Sequence, residues 1–196
     1  VFQQMEVTDP DLWHPDHPTL YTLSVSIKEG GTIVDALSTR TGIRKFEIAD
    51  SKLMINGTPF LLVGTNRHQE YPYIGNALSD NAQYRDAVKI KEAGFNIVRL
   101  SHYPQANAFM DACDELGLLT IAAIPGWQFV GNDKFMEHSY RDARELIRRD
   151  RNHASVVMWE LSLNESGMPD HFMKRMNEIA REESPESKLI TCGWID

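Results

Sequence analysis

From residue 60 onward the chain alternates short apolar runs with longer amphipathic stretches, and this rhythm restricts its fold more than any other feature. The apolar runs cover residues 60–65, 95–100, 118–124, 156–161 and 189–192. Each is short and mostly free of polar alternation, as strands buried on both faces should be. Between them, apolar residues recur at helical spacing. Ala106, Phe109, Met110, Cys113 and Leu116 form one stripe, Met136, Tyr140, Ala143 and Ile147 another, and Phe172, Met176 and Ile179 a third. A further helix is expected behind Asp80 as its cap, with Gln83 three residues on and Gly94 past its end. Strand and helix in alternation imply parallel strands joined by right-handed crossovers, in a doubly wound sheet or a (β/α)8 barrel. No Gly-rich phosphate loop follows a strand, which weakens the nucleotide-binding form. The fold class is therefore α/β, and in its barrel form it is a partial TIM barrel of about five strands where closure takes eight.

The first fifty residues read differently. Tyr21, Leu23, Val25 and Ile27 alternate with polar residues, the pattern of a half-buried strand, and Gly30-Gly31 supplies a hairpin turn into a second apolar run. Too few strands are present to make a sandwich, so this is the tail of a β domain, with a boundary near residues 46–50. A tight hairpin through Asn56-Gly57 then leads into the barrel.

Composition excludes several classes. With 42% hydrophobic and 24% charged residues, the 196-residue chain is of the globular type. A formal charge of −8 argues against a nucleic-acid partner, whose phosphates call for clustered Lys and Arg. No run approaches the roughly 18 apolar residues of a membrane helix, so no membrane partner is expected. No signal peptide is visible at the start, but the chain opens without Met and reads as beginning inside a longer polypeptide. Cys113 and Cys192 match no metal or redox spacing and are expected as buried thiols, which leaves the compartment open between cytoplasmic and periplasmic or secreted.

Polar and aromatic residues gather just after the strands: Asn66-Arg67-His68, Ser101-His102-Tyr103, Pro125-Gly126-Trp127 and Asn164-Glu165. In a barrel all of these lie on the C-terminal rim, where such enzymes work. Glu165 at a strand end, in aromatic company, is expected to be desolvated, with its pKa raised so that it can donate a proton near neutrality. His68 and His102, each near an arginine (Arg67, Arg99), suit sugar hydroxyls. A metal is the rival reading, but zinc would want further converging ligands and no third is evident. Trp127 offers either a flat face to a sugar ring or a side chain folded back on the barrel. Glu182-Glu183 reads as solvated surface.

In this order the pieces resemble glycoside hydrolase family 2, the β-galactosidase/β-glucuronidase type. The stretch from Trp13 to Tyr21 resembles its W-x-P-x-x-P-x-L-Y element, and Gly42-Ile43-Arg44 the end of its immunoglobulin-like domain. Asn56 to His68 resembles the opening of its catalytic barrel, Asn96 to Pro104 its N-x-[VI]-R-x-S-H-Y-P signature, and Cys113 to Gly117 its C-D-E-x-G. Asn152-His153-Ala154-Ser155 with Asn164-Glu165 resembles its N-H-P-S…N-E acid/base signature, Ala154 replacing Pro. The resemblance implies residues 1–47 as the last strands of an immunoglobulin-like sandwich and 48–196 as the first part of the catalytic barrel. It implies a retaining β-glycosidase acting on terminal non-reducing sugars, β-galactosidase-like, with Glu165 as acid/base and the nucleophile on a later strand. Asn164 would bind the sugar 2-hydroxyl, and His68, Arg99, His102 and Trp127 would line the glycone site. No cofactor is required. The Mg²⁺ that such galactosidases often bind near the third strand is doubtful, because Ala122-Ala123 stands where they carry Glu. Four residues separate Trp159 from Asn164 where many members have three, so a bulge is expected near that strand's end. A carbohydrate substrate and a homo-oligomer are the expected partners. The competing reading is a non-catalytic carbohydrate-binding or scaffold protein with a degenerate barrel.

Overall fold

A computed structural model describes residues 4–186 and 189–193. The element order is β1 (Tyr21–Glu29), β2 (Thr32–Thr41), β3 (Phe46–Ala49), β4 (Lys52–Ile55), β5 (Thr58–Pro59), β6 (Gly64–Arg67), α1 (Asp80–Glu92), β7 (Ile97–Leu100), α2 (Asn107–Leu116), β8 (Leu119–Ala123), α3 (Asp133–Asp150), β9 (Val156–Glu160), α4 (Asp170–Glu183) and β10 (Ile190–Thr191). Strands β6 to β10 form one parallel sheet in chain order, each linked to the next by a helix. This is the N-terminal part of a (β/α)8 barrel.

The main core lies between the sheet's outer face and the helices. Val98, Leu100, Ala122, Ile124, Trp159 and Leu161 meet Phe109, Met110, Ile147, Phe172 and Met176, all buried. The three helical stripes are therefore core faces, as their spacing predicts. The opposite face of the strands, which carries Arg99 and Ile121, looks into the barrel lumen and is only partly buried.

Two antiparallel pieces precede the barrel. In the β1–β2 hairpin, Gly30 (φ +55°) and Gly31 (φ +88°) both sit in the left-handed region, as a type I′ turn demands. Asn56 (φ +52°) and Gly57 (φ +82°) make the same turn between β4 and β5. The division expected after residue 47 falls inside β3, which pairs with β4.

Beneath the barrel, the N-terminal segment is pinned by Trp13, which is fully buried and donates its indole N–H to the Asp114 carbonyl at 2.9 Å. Gly42 has no room for a side chain, since a Cβ would stand 2.7 Å from both Trp13 and Ala154. Arg44 closes the joint by donating to the carbonyls of Ala154 (2.9 Å) and His153 (3.1 Å).

Several expectations need correction. The first barrel strand lies at 64–67 and not at 60–65. Leu61 and Val63 are 80% and 46% exposed, because this strand has a neighbour on one side only among the described residues. Leu23, Val25 and Ile27 are exposed and not half-buried, since no described sheet covers the β1–β2 ribbon. Ser79, not Asp80, is the residue before α1, and it caps without a side-chain bond. The bulge in β9 comes at its start: Val156 opposes Thr120 and Met158 opposes Ile121, leaving Val157 as the extra residue. Glu183 is buried against Arg148, which donates to both its oxygens (2.7 and 2.8 Å). Cys113 is buried as expected, but Cys192 is exposed, because it faces the lumen beyond the end of β10.

Candidate active site

The loops following β7, β8, β9 and β10 are sewn together by main-chain bonds. The Gly126 N–H donates to the His102 carbonyl (3.1 Å), and Asn164 N–H to the Gly126 carbonyl (3.1 Å). Gln128 N–H donates to the Asn164 carbonyl (2.9 Å), and Glu165 N–H to the Gly193 carbonyl (3.0 Å). Pairing therefore continues past the strand ends and fixes the rim. Gly126 is required for it: its φ is +155°, and a Cβ there would stand 2.3 Å from Leu163 Cδ2.

Glu165 stands on this rim with φ +50°, a region a non-glycine residue enters only under local constraint. Its Oε2 accepts from Trp127 Nε1 (3.0 Å) and Gln128 Nε2 (2.9 Å). The carboxylate is exposed, and these two bonds, with smaller help from His102 and the Asn164 side chain, lower its pKa below the ordinary carboxylate value. The expected desolvation and raised pKa are thus overturned: the aromatic neighbour turns its N–H, not its apolar face, toward the carboxylate.

Asn164 is buried beside it, and its Oδ1 accepts from Arg99 Nη2 at 2.6 Å. Arg99 also forms a two-pronged salt bridge to Glu160, which is 1% exposed. With Glu165, Cys192 and Gly193 these residues line one cleft. His102 packs edge-on against His68, ring centroids 5.4 Å apart. Burial first, and then the neighbouring Arg99 guanidinium, lowers the His102 pKa below the ordinary histidine value, which favours the neutral ring. Its Nδ1 is buried with no partner among the described residues, which leaves it open to a hydroxyl. His68 is exposed at the same rim, and Trp127 is 59% exposed above it.

Of the six residues expected at the site, His68, His102, Trp127, Asn164 and Glu165 stand at the carboxyl-end rim, and Arg99 reaches Asn164 from the lumen face of β7. Arg67 does not join them. It is buried, donates to Gln83 and Asp86 (2.7 Å each) and lies over the Phe109 ring. Gln128, Glu160 and Gly193 were not anticipated. An acidic residue inside an apolar strand was the one visible signal, at Glu160.

The residues present do not fit a magnesium ion at the third strand. Ala122 and Ala123 offer only methyl groups, and the nearby oxygens of Glu160 and Asn164 are engaged by the cationic Arg99. Asp111, Asp114 and His153 bring three metal-type donors within 4.8 Å at the other end of the barrel. There Asp114 already accepts from Ser155 N–H (2.8 Å) and meets His153 Nδ1 at 2.7 Å, while Asp111 pairs with Arg40.

A partial (β/α)8 barrel with polar and aromatic side chains gathered at the carboxyl ends of its strands defines the class: a TIM-barrel protein. Residues 46–193 match the profile for the TIM barrel domain of glycosyl hydrolases family 2, and residues 1–44 that family's preceding domain. The chain belongs to glycosyl hydrolases family 2. It is 47% identical over 185 residues to a β-galactosidase of Thermoanaerobacter pseudethanolicus, covering 93% of this chain and 25% of that one. A putative β-glucuronidase of Formosa agariphila is 35% identical, with 97% and 25% covered. Among solved structures, an FMN-binding β-glucuronidase from Facaelibacterium prausnitzii L2-6 superposes with TM-score 0.88 at 34% identity, covering 95% of this chain and 30% of that one. The chain spans about a quarter of the length of these curated relatives.

Proposed function

We propose that the protein containing this chain is a retaining β-glycosidase that removes terminal non-reducing β-linked sugars, β-galactosidase-like, with Glu165 as its acid/base. The observation that carries this reading is the carboxylate held at the rim on one oxygen. Trp127 and Gln128 occupy Oε2, so Oε1 carries and delivers the proton. In the first step a nucleophilic carboxylate bonds to the anomeric carbon while its bond to the leaving oxygen breaks, and Glu165 gives that oxygen a proton. In the second, water attacks the anomeric carbon, Glu165 takes its proton, and the enzyme carboxylate leaves. The family resemblance implies a nucleophile on a later barrel strand, and Glu160 is committed to Arg99.

The lowered pKa of Glu165 suits the base step. A sugar seated against Trp127 would strip water from the carboxyl and push its pKa back up for the acid step. His68, His102 and Asn164 would bind glycone hydroxyls, Asn164 taking the 2-hydroxyl.

Steady-state kinetics of Glu165→Gln in the parent enzyme test the assignment. Hydrolysis of a disaccharide with a poor leaving group should fall by about 10² to 10⁴-fold, the usual worth of a general acid. Glycosylation by an activated aryl glycoside should suffer less, and azide should restore part of the turnover. Wild-type rates on the disaccharide would refute it.

A further inference from the structure

The cleft holds a second carboxylate that the double displacement does not use. Glu160 ends β9 almost wholly buried, and Arg99 of β7 grips it with Nε on Oε2 at 2.6 Å and Nη2 on Oε1. A buried ion pair is a costly way to hold two strands together, since packed apolar residues of similar volume often serve better. The arrangement makes sense if the guanidinium plane itself must be fixed. A bidentate carboxylate does that, because the two parallel bonds remove the rotation a lone arginine retains.

What the fixed guanidinium does next is specific. The Nη2 that serves Glu160 also donates to Asn164 Oδ1 at 2.6 Å. Arginine has donors only, so the amide atom facing it must be the oxygen. The Asn164 Nδ2 is thereby the atom left to act as a donor. Opposite them lies bare backbone: a Cβ on Gly193 would stand 2.8 Å from Asn164 Oδ1 and from Glu160 Oε1, and 2.9 Å from Arg99 Nη2. Gly193 also accepts the Glu165 N–H, so the network and the acid/base share one support.

We propose that Glu160 is a positioning residue: acting through Arg99, it sets the Asn164 amide so that Nδ2 donates to the sugar hydroxyl beside the anomeric carbon. This rests on the glycosidase reading above. The test compares an aryl β-galactoside with its 2-deoxy counterpart in the parent enzyme. In Glu160→Gln one accepting oxygen becomes an amide NH2, a donor facing Arg99's own donors, so the grip breaks while side-chain size is kept. On the 2-hydroxy substrate kcat should fall about 100-fold, the scale of a misplaced binding group, with KM much less affected. On the 2-deoxy substrate the loss should be a few-fold at most. Adding Asn164→Ala to Glu160→Gln should cost little more than either change alone.

Gly193→Ala, which pushes the same three groups apart without altering charge, should show the same selective loss. It carries the test if Glu160→Gln gives no folded protein. Equal losses on both substrates, additive effects with Asn164→Ala, or failure of both variants to fold would each overturn the proposal while leaving the glycosidase reading intact. A parent enzyme inactive on every β-glycoside would instead remove that reading, and this proposal with it.

Discussion

Glu165 shows how much a single residue's setting depends on which atoms its neighbours present. Its left-handed backbone is held by main-chain bonds on either side, and its carboxylate by two donors from the β8–α3 loop. Those donors favour the anion, so removing one should raise the pKa toward the ordinary value. Gln128→Leu should accordingly shift the alkaline limb of the parent enzyme's kcat profile, where the acid is lost, to higher pH. An unshifted limb would mean that Gln128 does not bond the carboxylate in the working enzyme. The sequence could place Glu165, Asn164, Trp127, His68 and His102 on the rim, because position after a strand is enough for that, and Arg99 beside them because it precedes His102 by three residues. It could not give the sign of the pKa shift. That depends on whether the tryptophan offers its face or its N–H, and Gln128 carries no signal of its own. Glu160 was visible as an oddity, but its partnership with Arg99 depends on which strands lie close enough for their lumen-facing side chains to meet.

Among the elements, the segment before β1 matters more than its lack of regular structure suggests. Trp13 fills the space beneath the barrel between Gly42, Ala154 and the end of α2, and satisfies the Asp114 carbonyl. Three stretches distant in sequence thus meet at one side chain. Trp13→Ala should cost about 3–5 kcal/mol, the range for emptying a large aromatic site in a core, with an orphaned carbonyl adding to it. Urea unfolding of the 196-residue chain measures this directly, and a change below about 1 kcal/mol would show that the joint is not cooperative with the barrel. The helices were legible from their apolar stripes. Strand ends were less so: 60–65 is apolar enough for a strand, yet residue-by-residue pairing with β7 starts only at Gly64, and before it Leu61 and Val63 are tied to Asn96, partly through its side chain.

Among the described residues, the parallel sheet ends in β6 on one side and β10 on the other, and the β1–β2 ribbon exposes Leu23, Val25, Ile27, Ile33 and Leu37. Unpaired edges and uncovered apolar side chains favour pairing with another chain. The 196-residue chain should therefore run as a homo-oligomer in size-exclusion chromatography with light scattering. A monodisperse monomer at micromolar concentration would contradict this. The stitched rim has a different kind of consequence. Glu165 and Asn164 hang on peptide groups running from His102 to Gly193, and a peptide group offers the same donor and acceptor whichever side chain it carries. Away from Gly126, Trp127, Gln128 and Gly193, substitutions in the surrounding loops should therefore leave the carboxylate where it is. A lineage built on this frame is free to explore new substrates by drift, and the galactosidase and glucuronidase names borne by its relatives are what such freedom would leave behind.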